Sequence, residues 1–460
     1  MTLTLTVALA AGVVALILFW SALLTGHWTL AGVSVVYCLF AAAGVIVWFA
    51  RRRVRRSPLR DAAGSLTRIE WGAIALIGVI AAAILFNSAY FPFSRPDALG
   101  IYRPAALDMF QRGSIQPLIG AESLYRAYPI LVPLNYAMVY TLAGWEQDYL
   151  AKTVVALLSL GCLPAVFLLG REIGTRRTGL LAALILALTP AFVRWASSGY
   201  VDLPMAFYYT LAATFALRFW RNGAGVDAAL AGLMMGFAAF TKNAALLGVP
   251  LLAIWLAASL WKHRHAHELS RRLGATVLSL ALCGLIAAPW YIRNLIGAGF
   301  LIPDTAWTDQ AERSLRTLGI FITLTDNFLA SGWLILLGVA FSAVRLAQSL
   351  SNRRRPEPHV DGHALLLWFT VPFFAAWWIF VSYDPRFLLL FTPILCVSAA
   401  LAIEVVLQRL RPGRIVQAAL IAAALGISLY CMFISVEFKD EIVRDPLMSH
   451  EAKVALVRGQ

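Results

Sequence analysis

Stretches of about 20 apolar residues recur along the whole chain, and this restricts the fold more than any other feature. They fall at 3–24, 29–50, 70–91, 151–170, 177–193, 199–219, 226–241, 243–261, 273–292, 328–346, 363–382, 386–408 and 414–435. In hydrocarbon every backbone N–H and C=O must be paired within the protein, so single runs of this length cross a bilayer as helices. The expectation is an all-α, polytopic membrane protein of about 13 transmembrane helices. Composition agrees: 60% of the 460 residues are hydrophobic and only 13% are charged, too few charges to cover a water-facing surface. A soluble enzyme, a disordered chain and a disulfide scaffold are disfavoured together. The first run lacks the basic head of a cleavable signal peptide and a second run follows it directly, so it reads as a span.

Charge sets the orientation. The cluster Arg51, Arg52, Arg53, Arg55 and Arg56 belongs on the cytoplasmic side, which puts the N-terminus there too. Span three then exits, and 92–150 lies outside. The stretch 130–144 is apolar but short and interrupted at Pro129 and Pro133. If it crossed, the later basic clusters at Arg171–Arg177, Lys262–Arg272 and Arg353–Arg355 would fall outside. Read as a re-entrant or interfacial helix, it leaves all of them inside. The cytoplasmic segments then hold 23 Lys and Arg against 8 Asp and Glu, and the outer segments 15 against 16. The net charge of +14 is therefore positive-inside bias, and nucleic acid drops out as a partner. The expected location is the cytoplasmic membrane, multi-pass, with any site at the outer face.

Cys38, Cys162, Cys283, Cys396 and Cys431 lie in or at the ends of spans, where small apolar packing explains them. His263, His265 and His267 alternate in a basic cytoplasmic linker, so no Cys/His metal spacing is present. No metal ligand set is predicted and no cofactor is called for, although nothing in the sequence bars a divalent cation.

The long loops, 92–150 and 293–327, are outer ones, and the polar residues collect there. Segment 91–113 is amphipathic, with Ala105, Ala106, Met109 and Phe110 on one face, as suits a helix in the membrane interface. Asp97 stands where span three leaves the membrane. It could serve as a general base toward a water-side substrate, or simply cap the next helix. Asp202, near the outer end of span six, is a costly intramembrane acid that invites a functional reading, with a helix cap beside Pro204 as the alternative. Lys242 lies in an outer turn, where it either snorkels or meets a lipid phosphate. Trp290, Tyr291 and Arg293, then Tyr383, Asp384 and Arg386, add aromatic residues and charges at the same face. With Arg103, Arg126 and Arg194 these cations suit an anionic headgroup, because guanidinium and ammonium groups match phosphate oxygens.

These segments together resemble the C-type (GT-C) integral-membrane glycosyltransferases, closest to the branch of protein O-mannosyltransferases and lipid A aminoarabinose transferases. The features come in order: Asp97, Tyr102, Ala106, Met109 and Gly113; Tyr128–Pro129 before the re-entrant helix; residues 170–192; the Asp202 segment; GLMMGFAAFTK, which resembles a glycine-rich turn ending in Thr-Lys; Pro289–Asn294 with Gly299 and Pro303; and Arg386–Leu389 before Pro393. The likeness runs from about residue 70 through 435, with 1–69 as two additional helices and a basic linker, and 436–460 as a short charged outer tail that holds no large acceptor domain. There are departures: Ala98 stands where the family often has a second acid, and Arg126-Ala-Tyr-Pro where it commonly has Lys-Pro-Pro. The resemblance implies transfer of a sugar from a polyprenyl-phosphate carrier to a lipid, glycan or protein acceptor, with inversion. Asp97 would be the catalytic base and Asp202 a second site acid that orients the acceptor or the first loop, and Lys242, Arg293, Arg126 and Arg386 would hold the donor phosphate. Tyr102, Arg103, Tyr128, Arg194 and Tyr291 would line the substrate site. A lipid or sugar flippase and a non-catalytic subunit of envelope assembly are the competing classes. Transport is disfavoured by the crowding of polar residues at one face, and a transfer assay separates catalysis from the non-catalytic class.

The orientation is checked with single cysteines in a cysteine-free background. Position 120 labels with a membrane-impermeant maleimide from outside, and position 355 only after the membrane is opened. The reverse pattern overturns the assignment.

Overall fold

The computed structural model describes residues 1–32, 34, 35, 38, 66–115, 126–265, 267–302, 309–351, 359–410 and 413–459. Among them all regular structure is helical. In chain order these are α1 (Thr2–Thr25), α2 (Arg68–Tyr90), α3 (Arg103–Arg112), α4 (Leu131–Ala143), α5 (Asp148–Leu160), α6 (Cys162–Ile173), α7 (Arg176–Ala187), α8 (Pro190–Ala196), α9 (Asp202–Asn222) and α10 (Gly225–Thr241). There follow α11 (Gly248–Lys262), α12 (Leu269–Ala298), α13 (Thr325–Ser351), α14 (Val360–Trp368), α15 (Val371–Phe380), α16 (Thr392–Leu410), α17 (Arg414–Ser435), α18 (Lys439–Arg444) and α19 (His450–Arg458). The second expected span, 29–50, and the Arg51–Arg56 cluster lie wholly or largely outside the described residues, as do Pro303 and Arg353–Arg355.

Nine helices among the described residues are long and apolar enough to cross a bilayer, or ten with one bent pair, against the 13 expected. The differences have local causes. The stretch 177–193 is broken at Pro190, so α7 and α8 meet at a bend of 69°, the result of proline's missing N–H. The stretch 226–241 forms α10, only 17 residues long. The stretch 199–219 forms α9, which keeps Asp202, Arg218 and Arg221 and is held inside the protein. Helix α4 has 13 residues, about 20 Å at 1.5 Å each, too short for the roughly 30 Å hydrocarbon core. It is buried rather than laid on the surface: Asn135 donates from Nδ2 to the Ala11 carbonyl of α1 at 3.1 Å.

Helix α9 is the axis of the bundle, with 17 of its 21 residues buried, as a helix apolar on all sides must be. Its two mid-helix phenols tie it to neighbours. Tyr208 donates to the Ala8 carbonyl of α1 at 2.9 Å. Tyr209 donates to the Phe369 carbonyl at 2.8 Å, an acceptor released where α14 ends and α15 begins. Helix α1 thus shares the core with the segment from residue 70 onward, and its Phe19 packs edge-on to Phe240 and Trp290.

In lipid there is little hydrophobic drive to bring helices together, so close backbone approach has to supply the attraction. Gly232 and Gly236, four residues apart on α10, provide it. A β-carbon on Gly232 would run into the Ser279 carbonyl of α12, and one on Gly236 into Cys283 and Ile286. The glycine-rich stretch before Lys242 is therefore a helix-packing face; the turn expected there begins only at Lys242, whose backbone is extended.

The helix ends sort into two sets. At one end Glu70 pairs with Arg176 at 3.1 Å, Arg221 pairs with Asp361 at 2.6 Å, and Thr175 donates to Glu404 at 2.9 Å. Arg218 at this end also reaches the Met1 sulfur at 3.2 Å. At the other end stand Asp97, Arg194, Asp202, Lys242, Arg386 and Glu437. Residues that the charge count placed on a common side do meet.

Substituting Gly232→Val destabilises the protein by about 3 kcal/mol or more, since overpacking has no flexible neighbour to absorb it. Gly284→Val, on the open face of α12, leaves the melting temperature in detergent close to wild type.

Candidate functional site at the end carrying Asp97 and Asp202

Two carboxylates at this end are placed in opposite environments. Asp97 follows Pro96 at the start of the turn Ala98–Tyr102 and makes no side-chain capping bond. Its carboxylate instead meets Arg386, Oδ2 to Nη1, at 2.7 Å, and the side chain keeps 30% of its surface exposed. Its backbone N–H donates to the Tyr200 hydroxyl at 3.0 Å. Asp202, in the first turn of α9, is 1% exposed and accepts from Lys242 Nζ at 2.6 Å. It makes no capping bond either, and its second oxygen, Oδ2, is buried without a hydrogen-bond partner.

Lys242 neither snorkels nor points to solvent. With α10 ended at Thr241, its extended backbone turns the side chain inward to Asp202, and Nζ lies 4.2 Å from the Phe387 ring centroid. Phe387 sits on the 3-10 turn Pro385–Leu390 next to Arg386, so the two ion pairs stand on either side of one short turn. Asp384 starts that turn: it accepts from the Arg386 backbone N–H at 2.9 Å and from its Nε at 2.8 Å. Burial opposes the charge of Arg386, but the carboxylates of Asp202, Asp384 and Asp97 outweigh it and hold the guanidinium above its ordinary value. The same guanidinium lies over the rings of Tyr200, at 4.6 Å, and Trp195, at 5.4 Å, which are themselves stacked at 5.1 Å.

The remaining predicted residues divide. Tyr102 joins the cluster: burial first, then the charges of Asp202 and Asp97, hold its hydroxyl well above its usual value, so it is a neutral phenol. Burial, aided by Asp384, pushes Tyr383 up to about 12. Tyr128 interacts electrostatically with both of these tyrosines. The Arg126–Tyr128 segment is pinned by its middle carbonyl, since Ala127 accepts from Trp290 Nε1 at 3.1 Å and Asn294 Nδ2 at 2.9 Å. Arg293 lies 4.3 Å over the Trp290 ring. Tyr291 braces the turn of Lys242 from behind, donating to the Ala239 carbonyl at 2.8 Å. Arg103 forms an ion pair with Asp148 at 3.0 Å, whose other oxygen accepts from Tyr140 at 2.9 Å. Arg194 donates to Asn327 at 2.9 Å. Trp195 and Tyr200 were not singled out from the sequence, and Asn294 and Phe387 entered only inside the motifs Pro289–Asn294 and Arg386–Leu389, without a role of their own. Among the described residues no group of three or more His, Cys, Asp or Glu is arranged to hold a metal ion.

Removing one partner of a buried pair leaves an unpaired charge, so Lys242→Ala lowers stability by about 3–5 kcal/mol. The double substitution Asp202→Asn with Lys242→Met recovers most of the loss, as read from melting temperatures in detergent.

A family model for dolichyl-phosphate-mannose-protein mannosyltransferase matches residues 128–291, which include Asp202 and Lys242 but neither Asp97 nor Arg386. No curated protein matches the sequence. ArnT from Cupriavidus metallidurans bound to undecaprenyl phosphate is similar in structure, with 18% identity and a TM-score of 0.53 over 74% of this chain and 61% of that one. The same protein in the apo state gives 18% identity and 0.56 over 84% and 68%. The Archaeoglobus fulgidus oligosaccharyltransferase in the apo form gives 15% identity and 0.52 over 79% and 55%. The chain thus spans about three fifths of the length of the undecaprenyl-phosphate-bound ArnT. Its fold is that of the GT-C membrane glycosyltransferases.

Proposed function

We propose that this chain is a glycosyltransferase that passes a sugar from a polyprenyl-phosphate carrier to an acceptor at the outer face of the cytoplasmic membrane, with inversion. The observation that carries the reading is the Asp97–Arg386 pair, a partly exposed carboxylate held 2.7 Å from a guanidinium. A guanidinium has five N–H groups. In Arg386 the Nε, Nη1 and Nη2 atoms each give one to Asp97 or Asp384, leaving two to meet a phosphate.

In the reaction the acceptor O–H attacks the anomeric carbon while its proton passes to Asp97. The bond from that carbon to the phosphate oxygen breaks, and its electron pair leaves with the carrier phosphate, whose charge Arg386 stabilises. Arg386 therefore sets the spacing between base and leaving group. Arg126 and Arg293, on the two segments joined through Ala127, are the further cations proposed for the phosphate. Asp202 is too buried to take a proton from substrate; with Lys242 it forms the charged wall behind Arg386. An apolar groove of about 290 Å³ lined by Phe321, Leu336, Val339, Phe374, Phe391 and Leu395 starts one residue beyond the Arg386 turn. It suits the first isoprene units of the carrier. A flippase would place its ionisable residues along a path through the bilayer, whereas here the buried charges gather at helix ends.

Transfer is measured in proteoliposomes with labelled polyprenyl-phosphate sugars. Asp97→Asn loses roughly 10²–10⁴-fold in rate, and Arg386→Lys loses at least about tenfold because a lysine cannot fork between two anions. Wild-type transfer retained by Asp97→Asn removes Asp97 as base. No transfer from any carrier sugar by the wild type favours transport or assembly instead.

A further inference from the structure

Asp97 ends a short segment, 91–97, that leaves α2 and contains Pro92 and Pro96. Proline has no backbone N–H to give, so side chains must hold much of this segment. On one side it is packed: Phe93 is buried and lies 5.2 Å from the Tyr136 ring, and a β-carbon on Gly199 would run into it. Elsewhere it is tied to the chain that follows α17. Glu437 accepts from the Ser94 hydroxyl and, at 3.0 Å, from Arg95 Nε, 342 residues away in sequence. The Glu437 backbone N–H donates to Asn87 Oδ1 at 3.2 Å.

The side chain of Glu437 is only 10% exposed, and a carboxylate so placed needs a counter-charge. Burial works against its charge, but Lys152 and then Arg95 outweigh it and hold the carboxyl below its ordinary value. Lys152, on α5, is fully buried, and its ammonium donates to the carbonyls of Pro92 at 3.2 Å and Phe91 at 3.5 Å. One acid thus balances the cation that grips the start of the segment and itself grips the middle. The chain then bends at Phe438, whose φ of 51° is a left-handed conformation that a bulky residue adopts only under constraint. Its ring rests on Phe91 at 5.0 Å. Beyond the bend, Tyr90 donates to the Pro446 carbonyl at 2.8 Å and the Tyr149 hydroxyl meets His450 Nδ1 at 2.6 Å.

The tie reaches Asp97 by two routes. Only Pro96 separates Arg95 from Asp97, and its ring fixes one of the two soft dihedrals there. Arg95 also lies 5.7 Å from the centroid of Trp195, which stacks on Tyr200, whose hydroxyl accepts from the Asp97 backbone N–H. Resting on the glycosyltransferase reading, we propose that Glu437 is a positioning residue for Asp97, holding segment 91–97 in the register at which that carboxylate meets Arg386. The chain after α17 is thereby part of the catalytic unit, although Glu437 itself touches no substrate. A misplacement of about 1 Å can cost on the order of 10²-fold in rate, so the tie acts on the chemical step.

The test follows hydrogen exchange over residues 93–98 by mass spectrometry, with full-length protein in proteoliposomes. Glu437→Gln keeps the size but removes the charge, leaving Lys152 uncompensated and the protein less stable. Arg95→Met removes the arm and leaves Glu437 facing Lys152, so its melting temperature stays close to wild type. Both speed exchange over 93–98 at least about tenfold while α9 keeps its protection. With the carrier sugar that the wild type turns over, each lowers kcat about 10–100-fold and leaves the donor KM within about threefold. Combined, they lose no more than either alone, as residues acting through one contact do. Glu441→Gln, on the same segment, changes neither readout. Wild-type exchange over 93–98 in both variants overturns the proposal. So does a loss carried by a raised donor KM, which would make Arg95 a phosphate ligand. If the wild type turns over no carrier sugar, it is the glycosyltransferase reading that fails, and the exchange rates still decide whether Glu437 holds the segment.

Discussion

The contact between Lys242 and Asp202 is the one on which the arrangement of this end of the bundle depends. A carboxylate in a low-dielectric interior is costly by several kcal/mol unless a counter-charge meets it with good geometry. Here the 2.6 Å pair joins the start of α9 to the end of α10 and so fixes where each helix must stop. The lysine then supplies a cation for Phe387 to cover, which seats the short turn carrying Arg386. Arg386 in turn holds Asp97, 289 residues away in sequence. Each step is a charge whose burial is tolerable only because of the next group.

Much of the architecture is legible in the sequence for a physical reason. The arginine and lysine count in loops is a whole-chain property that survives errors in individual spans. It was enough to keep 130–144 from being counted as a crossing, and α4 is indeed too short to cross. The count of spans was less legible, because a hydropathy window cannot tell a helix buried in protein from one facing lipid. Helix α9 is wrapped by other helices and so can carry Asp202 and two arginines, and Pro190 folds one apolar run into two helices. Gly232 and Gly236 show the same limit: spacing says that something approaches closely, but only the partner, Ser279 on α12, says what.

At the site, the acids were legible because intramembrane and membrane-edge carboxylates are rare enough to stand out. Their roles were not, since role depends on which cation turns toward which acid. Lys242 has an extended backbone at the end of α10, and that local conformation aims it inward to Asp202. The aromatic residues Trp195 and Tyr200 did not stand out, since tryptophan and tyrosine are common at both edges of a membrane span whatever the function. Their stacking against Arg386 is a consequence of the bend between α7 and α8, which no residue pattern specifies at that distance.

The two carboxylates illustrate how one end of a helix bundle can give the same side chain two environments. Asp202 is sealed and paired with Lys242. Asp97 is paired as well, yet nearly a third of its surface is open and its partner is a guanidinium that can serve two anions at once. Arg386 meets Asp97 and Asp384 together, so the more exposed carboxylate is positioned by a cation that it shares with a second acid.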